Sequence, residues 1–222
     1  GVSAFNIADP EVFEPENINR VPGARLSTMG RSKAEVFAEE VRDINPDADV
    51  RIFHDGVTAE NVEEFLSDAT LSFDESELTH MEIGTALARE ARLRRIPNVM
   101  VMNIGFAAQV TSFHPDSKHT FEKFMGIPKG MPLDEVADLE LKLDHCVPYL
   151  PPYADINSLI AVQEGASLPS IAEGVDIASG IGASQGFLHI VRGANNKRPE
   201  PVWAPRVAYI DGYNFKSGVT RF

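Results

Sequence analysis

The residues best able to do chemistry lie between positions 9 and 33. Asp9 ends a short apolar stretch, Asn17 and Arg20 follow in a loop, and Lys33 stands at the start of a helical pattern. An acid at the end of a strand in a parallel sheet is the usual partner of ribose hydroxyls. Arginine and lysine neutralise phosphate charge, and helix N-termini favour anions. Together these residues predict a nucleotide site, whereas each one alone is typical of a solvated loop before a capped helix.

Strands and helices alternate in the part of the chain that must position these residues. Strands are predicted at 2–9, 50–53, 70–73, 98–104 and 108–113, and helices at about 32–44, 59–66 and 78–95. This alternation predicts an α/β fold, a Rossmann-like doubly wound and mostly parallel sheet flanked by helices.

The second half of the chain has a different pattern. Residues 114–170 are rich in proline with one helix near 133–145, which indicates a crossover or lid region. A helix near 171–192 and a strand around Tyr209 would then complete the domain. We therefore divide the chain into a nucleotide-binding core at 1–113, a divergent region at 114–170 and closing elements at 171–222.

Composition narrows the possible functions. The net charge of −13 over 222 residues argues against a nucleic-acid partner, although a small anion could still bind in a local basic pocket. No apolar run approaches the roughly 20 residues that a membrane helix needs, so no membrane partner is expected. Cys146 is the only cysteine, so no intrachain disulfide can form and we expect a cytoplasmic protein.

Two runs of sequence resemble the ThiF/MoeB/ubiquitin-activating (E1-like) family. They are IADPEVFEPENINR at 7–20 and GRSKAEVFAEEVRDINPDADV at 30–50. In that family an acid-ended strand is followed by an Asn-Leu-Asn-Arg-like element. A Gly-x-x-Lys then opens a helix that ends in Asn-Pro. The resemblance covers residues 1 to about 113 and continues more weakly in the closing helix and strand.

The resemblance implies a role for each polar residue of the first run. Asp9 would hold the ribose, Asn17 and Arg20 the phosphates, and Lys33 the α-phosphate region in the transition state. Arg20 and Lys33 would therefore be catalytic as well as nucleotide-binding.

The family's next motif is Asp-x-x-Asp after a strand, and its second acid handles magnesium. Asp74-Glu75-Ser76-Glu77 occupies this place. The resemblance therefore implies that Asp74 belongs to the nucleotide site and that Glu77 is a catalytic residue that binds Mg²⁺. Glu77 is one methylene longer than aspartate, so it must retract or bind through a water. An acidic helix N-terminus favoured by the helix dipole explains the same residues equally well.

Three features depart from the family pattern. The family's first strand and glycine-rich loop, which precede the strand at 2–9, are absent from this chain, and we expect a longer parent or a second chain to supply them. Gly180-Ile-Gly182 follows no apolar strand, so it predicts a tightly packed helix rather than a phosphate loop. No paired cysteines occur, so no zinc is expected, and Cys146 is interpreted as buried and inert.

The resemblance implies an ATP-dependent adenylyltransferase that uses ATP and Mg²⁺. Its substrate would be a carboxylate, either a small acid or the C-terminus of a peptide or ubiquitin-like protein, activated as an acyl-adenylate. It also implies a homodimer, for which the apolar Phe121, Phe124 and Met125 offer an interface patch. An NAD- or FAD-dependent oxidoreductase and a non-catalytic E1-like partner subunit remain as alternatives, and the sequence specifies neither donor nor acceptor.

Overall fold

The computed structural model describes residues 2–140, 146–163, 170–191 and 199–222. The chain divides into two compact units, residues 1–69 and 70–222. The three-part division predicted from the sequence stays a prediction.

The first unit is built on a parallel pair of strands with a helical crossover. Strand β1 (Ala4–Ala8) pairs with β2 (Asp49–Phe53), with Ala4 opposite Asp49. Helix α1 (Lys33–Ile44) connects them and begins where the Ser32 side chain accepts a hydrogen bond from the Glu35 N–H at 3.4 Å. Ser32 therefore caps the N-terminus of α1. A single turn of helix, α2 (Val62–Phe65), follows β2.

The second unit contains a five-stranded sheet in the order β3-β4-β5-β6-β7. Strands β3 (Ser72–Asp74) and β4 (Asn98–Ile104) are parallel, and helix α3 (Met81–Leu93) lies between them in the chain. The later pairings are all antiparallel, involving β5 (Ala107–Phe113), β6 (Arg206–Asp211) and β7 (Lys216–Arg221).

The predicted α/β class is confirmed. The two-stranded sheet is parallel, whereas the five-stranded sheet is parallel only at β3–β4 and antiparallel from β4 onward, so its pairings are mostly antiparallel rather than mostly parallel as predicted. The cause is the length of the connection. Only Gly105, with φ +55°, and Phe106 separate β4 from β5. A parallel return needs a crossover of a dozen or more residues, so this two-residue link permits only an antiparallel hairpin.

Both faces of the central strands are covered. On β4, Met100, Met102 and Ile104 pack in a core with residues of α3, while Val99 and Val101 face the opposite side. Helix α7 (Ala172–Val191) covers that opposite side. Its buried positions are all small and recur every fourth residue: Gly174, Ala178, Gly182 and Gly186. The Gly180–Gly182 segment is therefore helical as predicted, and Gly182 packs tightly, whereas no atom lies within 4 Å of a Cβ added at Gly180.

The described residues of the proline-rich region include the short helices α4 (Phe121–Met125), α5 (Leu133–Ala137) and α6 (Ile156–Gln163). The helix predicted near 133–145 corresponds in part to α5, and residues 141–145 lie outside the described residues. Among the helices that the structure describes, none is long and apolar enough to cross a membrane.

The predicted interface patch is wrong. Phe121, Phe124 and Met125 are 4%, 2% and 4% exposed, because α4 turns its apolar side onto the sheet. The ring of Phe113 lies 5.7 Å from that of Phe121 and 5.9 Å from that of Phe124, measured between centroids. These side chains belong to the core and offer no surface to a partner.

Candidate functional site

A short antiparallel bridge brings the segment after β1 against the start of α1. Val12 pairs with Ser32. The Lys33 N–H donates to the Glu11 carbonyl at 3.0 Å, and the Phe13 N–H donates to the Arg31 carbonyl at 2.9 Å. These bonds hold Lys33, at the first turn of α1, beside Glu11.

Lys33 is a buried cation with an exposed partner. Its ammonium group forms an ion pair with the Glu11 carboxylate. The Lys33 side chain is 10% exposed and that of Glu11 is 60% exposed. An incoming anion could therefore replace Glu11 without unfolding anything around Lys33. Sequence reasoning missed Glu11, although its position two residues after Asp9, on the same side of an extended segment, was an available signal.

Asp9 belongs to the same group of side chains. It is half-buried, and burial raises its pKa. A hydrogen bond from the Glu11 N–H at 2.9 Å and the positive charge of Lys33 act in the opposite direction. The structure thus brings Asp9 and Lys33, both predicted site residues, together around Glu11.

Asn17 and Arg20 lie in and just after a 3-10 helix (Pro15–Asn19). The buried Asn17 side-chain carbonyl accepts a hydrogen bond from the Glu14 N–H at 2.9 Å, so that oxygen is occupied in capping the turn. Arg20 donates to the Glu16 carbonyl at 2.8 Å and to the Asn19 side chain at 3.1 Å. Both contacts are exposed, which leaves the Arg20 guanidinium accessible to a ligand.

In the second unit, Asp74 ends β3 and is 3% exposed. One carboxylate oxygen accepts hydrogen bonds from the Ser76 hydroxyl at 2.7 Å and from the Ser76 N–H at 3.1 Å. Burial raises the pKa of Asp74, and the Ser76 bonds and the nearby Asn98 amide oppose that shift. Asn98 is close enough to act electrostatically, but no described group makes a hydrogen bond of normal geometry to Oδ2.

Helix α3 approaches Asp74 closely because residue 84 is glycine. A Cβ atom at Gly84 would lie 3.1 Å from Oδ2 of Asp74 and 3.0 Å from the Ser76 hydroxyl. Glycine therefore leaves room for the Asp74–Ser76 hydrogen bond under the helix. Sequence reasoning had assigned neither Ser76 nor Gly84 to the site.

Glu75 and Glu77 are exposed neighbours of Asp74. The pKa of Glu75 is raised to about 8. Desolvation by nearby protein atoms is the larger cause, and the negative charge of Asp74 is the smaller one. Water at its exposed surface screens this effect, so we expect a smaller shift in solution. The Glu77 carboxylate accepts a hydrogen bond from the Thr79 hydroxyl at 3.3 Å.

The fit of these acids to magnesium can be judged from their exposure. Within the described ranges, no three His, Cys, Asp or Glu side chains are arranged to hold a metal ion. Magnesium in nucleotide sites needs only one or two protein carboxylates, because phosphates and waters complete its shell. The exposed Glu77 is compatible with that requirement, whereas Asp74 is only 3% exposed.

Replacing Asp74 by asparagine should stabilise the fold at neutral pH. The folded pKa of Asp74 is raised above its ordinary value of 3.8. The Asp74 carboxyl group therefore contributes its full stabilisation at pH values below its ordinary pKa. This stabilisation is lost as pH rises through the folded pKa. We expect Asp74→Asn to have a higher thermal midpoint than the parent protein at pH 7. This difference should disappear at about pH 4.

The control for Asp74→Asn is Glu77→Gln, which also neutralises an acid but at an exposed position. It should change the free energy of unfolding by no more than about 0.5 kcal/mol. A lower midpoint for Asp74→Asn at pH 7 would contradict the assignment of a buried, desolvated carboxylate.

Two curated proteins share part of this sequence. The tRNA threonylcarbamoyladenosine dehydratase of Escherichia coli K12 is 31% identical over 105 residues, covering 47% of this chain and 39% of that protein. The protein of the same name from Haemophilus influenzae is 34% identical over 67 residues, covering 30% and 26%. The matched region is thus less than half the length of either relative.

Solved structures share the fold over nearly the whole chain. E. coli MccB, crystallised with ATP, has a TM-score of 0.68 at 12% identity, covering all of this chain and 56% of MccB. PaaA has a TM-score of 0.60 at 15% identity, covering 98% of this chain and 55% of PaaA. The model of the ThiF family matches residues 1–218, and it confirms the resemblance carried by the Asp9–Lys33 segment. The chain belongs to the ThiF family.

Proposed function

We propose that this chain binds MgATP and activates a carboxylate as an acyl-adenylate. The observation that carries the proposal is Lys33, a buried ammonium group at the start of α1 whose exposed partner Glu11 can be displaced by an anion. Asp9, beside it, offers a carboxylate to ribose hydroxyls. A ribose partner next to a phosphate partner is the requirement of a nucleotide.

In the proposed reaction a carboxylate oxygen attacks the α-phosphorus, and the bond to the departing pyrophosphate breaks. Lys33 would neutralise the charge that develops on the α-phosphate, and the accessible guanidinium of Arg20 would bind the other phosphates. Asn17 would act by fixing the turn that carries Arg20. When bound with the nucleotide, Mg²⁺ would supply further charge neutralisation. Glu77 is the acid proposed to hold it, and Asp74 is proposed as a residue of the nucleotide site.

The substrate is proposed only as a class, a carboxylate donor. MccB was crystallised with ATP and with MccA, and the curated relatives are named for a modified tRNA nucleoside. The names of these proteins point to different substrates. They therefore support a shared activation reaction more than a shared carboxylate donor. A peptide or ubiquitin-like C-terminus and a small acid are the proposed donors.

We further propose a homodimer acting in the cytoplasm. The family resemblance supports the dimer, and the single cysteine is in keeping with a reducing compartment. Because the predicted aromatic patch is buried, a different surface must form the dimer contact.

Ligand choice tests the proposal against a dinucleotide-dependent oxidoreductase. We expect MgATP to bind about tenfold or more tightly than NAD, because NAD lacks the terminal phosphate charge that Arg20 would neutralise. Calorimetric titrations with both ligands measure this ratio. Asp9→Ala should weaken MgATP binding, since the ribose partner is lost. Tighter binding of NAD than of MgATP would reject the proposal.

A further inference from the structure

Three exposed cations, Lys118, Lys123 and Arg221, act electrostatically on His119 in the second unit, and a fourth, Arg206, lies opposite Arg221. Lys118 precedes His119, and Lys123 lies in the last turn of α4. Arg221, near the end of β7, pairs directly opposite Arg206 of β6. We call Lys118, His119, Lys123, Arg206 and Arg221 the His119 cluster.

Aromatic contacts hold these residues in place. The Phe222 ring lies 6.4 Å from that of His119 and 4.7 Å from that of Phe124, measured between centroids. Arg221 and Lys123 are the chain neighbours of Phe222 and Phe124, so these edge-to-face contacts bring their backbones to the same surface as His119. The positions of the charges are therefore set by packing rather than by ion pairs.

None of the four cations has a counterion among the residues that the structure describes. Elsewhere the pattern is different: Arg89, for example, binds Glu122 through two nitrogens at 2.9 and 2.8 Å, and Arg95 binds Asp116 at 2.9 and 2.8 Å. The chain carries 33 acids against 20 lysines and arginines, so acids are not scarce. The cluster is a positive surface on a strongly negative protein.

The like charges of the His119 cluster also repel one another. Like charges directly opposite each other on neighbouring strands are destabilising, and Arg206 and Arg221 are such a pair. The Nδ1 atom of His119 is buried and has no hydrogen-bond partner in the described part of the chain. Desolvation and then the charges of Lys123, Lys118 and Arg221 lower the pKa of His119. An anion bound at this surface would offset the repulsion between Arg206 and Arg221 and the positive charges that act on His119.

We infer that the His119 cluster is a binding surface for phosphate groups. A phosphate carries up to two charges on three oxygens and accepts the paired N–H groups of arginine, which suits two arginines beside two lysines. A lone carboxylate would leave most of the positive charge unmatched. The residues of this surface differ from those proposed for the nucleotide, and the inference does not depend on adenylation.

The histidine provides a local reporter for the test. Pyrophosphate is titrated into the protein at physiological ionic strength while the imidazole resonances of His119 are followed by NMR, assigned with His119→Gln. We expect saturable shifts of these resonances and a rise in the pKa of His119, because a nearby anion favours the imidazolium.

Single substitutions inside and outside the His119 cluster show where pyrophosphate binds. Lys123→Gln and Arg221→Gln should each weaken the binding that His119 reports by about fivefold, the effect of one exposed charge pair. Lys216→Gln, which removes an exposed cation from the same strand as Arg221, should leave it unchanged. Lys33→Ala should also leave it unchanged, which separates this surface from the proposed nucleotide site.

Three results would overturn the inference: no saturable shift of His119, equal weakening by Lys216→Gln, or binding of citrate as tight as that of pyrophosphate. The expected ligand is a small polyphosphate, because the net charge of −13 opposes binding of a phosphodiester backbone. A short oligonucleotide is titrated beside pyrophosphate, and tighter binding of the oligonucleotide would be a fourth contradicting result.

Discussion

Lys33→Ala should lower the rate of carboxylate-dependent pyrophosphate exchange by about 100-fold or more, the usual effect of losing one preorganised donor in an active site. The Lys33 ammonium is buried at the start of α1, so water cannot easily replace its charge when negative charge builds up on the α-phosphate. The affinity for ATP in the ground state should fall much less. Exchange of labelled pyrophosphate into ATP, measured with several carboxylates, tests this directly.

Two nearby variants serve as controls for Lys33→Ala. Arg31→Ala removes a cation two residues earlier, one that is exposed and paired with Glu39 at 2.5 Å. It should change the exchange rate by no more than about twofold, since exposed ion pairs contribute little. Glu11→Gln should retain most of the activity, because the ammonium stays in place. Exchange that persists undiminished in Lys33→Ala would remove the central residue of the proposed mechanism.

Substitutions of Asp9 and Glu77 should change different kinetic quantities. Asp9→Ala should raise the KM for ATP without a selective loss in kcat, because a ribose contact is made equally in the ground and transition states. Glu77→Gln should instead raise the magnesium concentration needed for half-maximal exchange, since a neutral amide is a poorer ligand for a hard cation.

The local elements were predictable because their signals are local. The Ser32 cap and the apolar face of α1 lie within a dozen residues, and both are present. Strand β7 (Lys216–Arg221) was not predicted, because KSGVTR shows no apolar alternation and forms a strand only by pairing with β6. Helix α4 has five residues, too few to show a helical period, so its phenylalanines resembled a surface patch.

Some residues of the candidate site were also predictable from local sequence, and others were not. Residue types and spacing pointed to Asp9 and Lys33, which the structure brings together. The ion pair with Glu11 could not be read from spacing, because it depends on the Val12–Ser32 bridge across a loop of about twenty residues. Gly84 was equally hidden, since its importance arises from the approach of α3 to Asp74. Contacts between elements decide such roles, and one sequence alone does not contain them.

The close packing of α7 on the sheet leads to the largest expected effect on stability. A Cβ atom at Gly174 would overlap the carbonyl oxygen of Gly105 in the β4–β5 turn. That neighbour is backbone and cannot rotate away. The helix cannot easily withdraw either, because Ser170 bridges to Gly105 and its hydroxyl accepts a hydrogen bond from the Asn103 side chain at 2.9 Å.

Gly174→Ala should therefore lower the free energy of unfolding by about 3 kcal/mol or more, the upper range for overpacking. For a chain of this size that corresponds to a fall of roughly 6–12 °C in Tm. Gly180→Ala is the matched control, since it lies on the same helix with no atom within 4 Å of the added Cβ. It should stabilise the protein by about 0.5–1 kcal/mol, because alanine is the better helix former. Urea and thermal unfolding of both variants measure the difference, and equal stability of the two would show that α7 does not rest on the Gly105 turn.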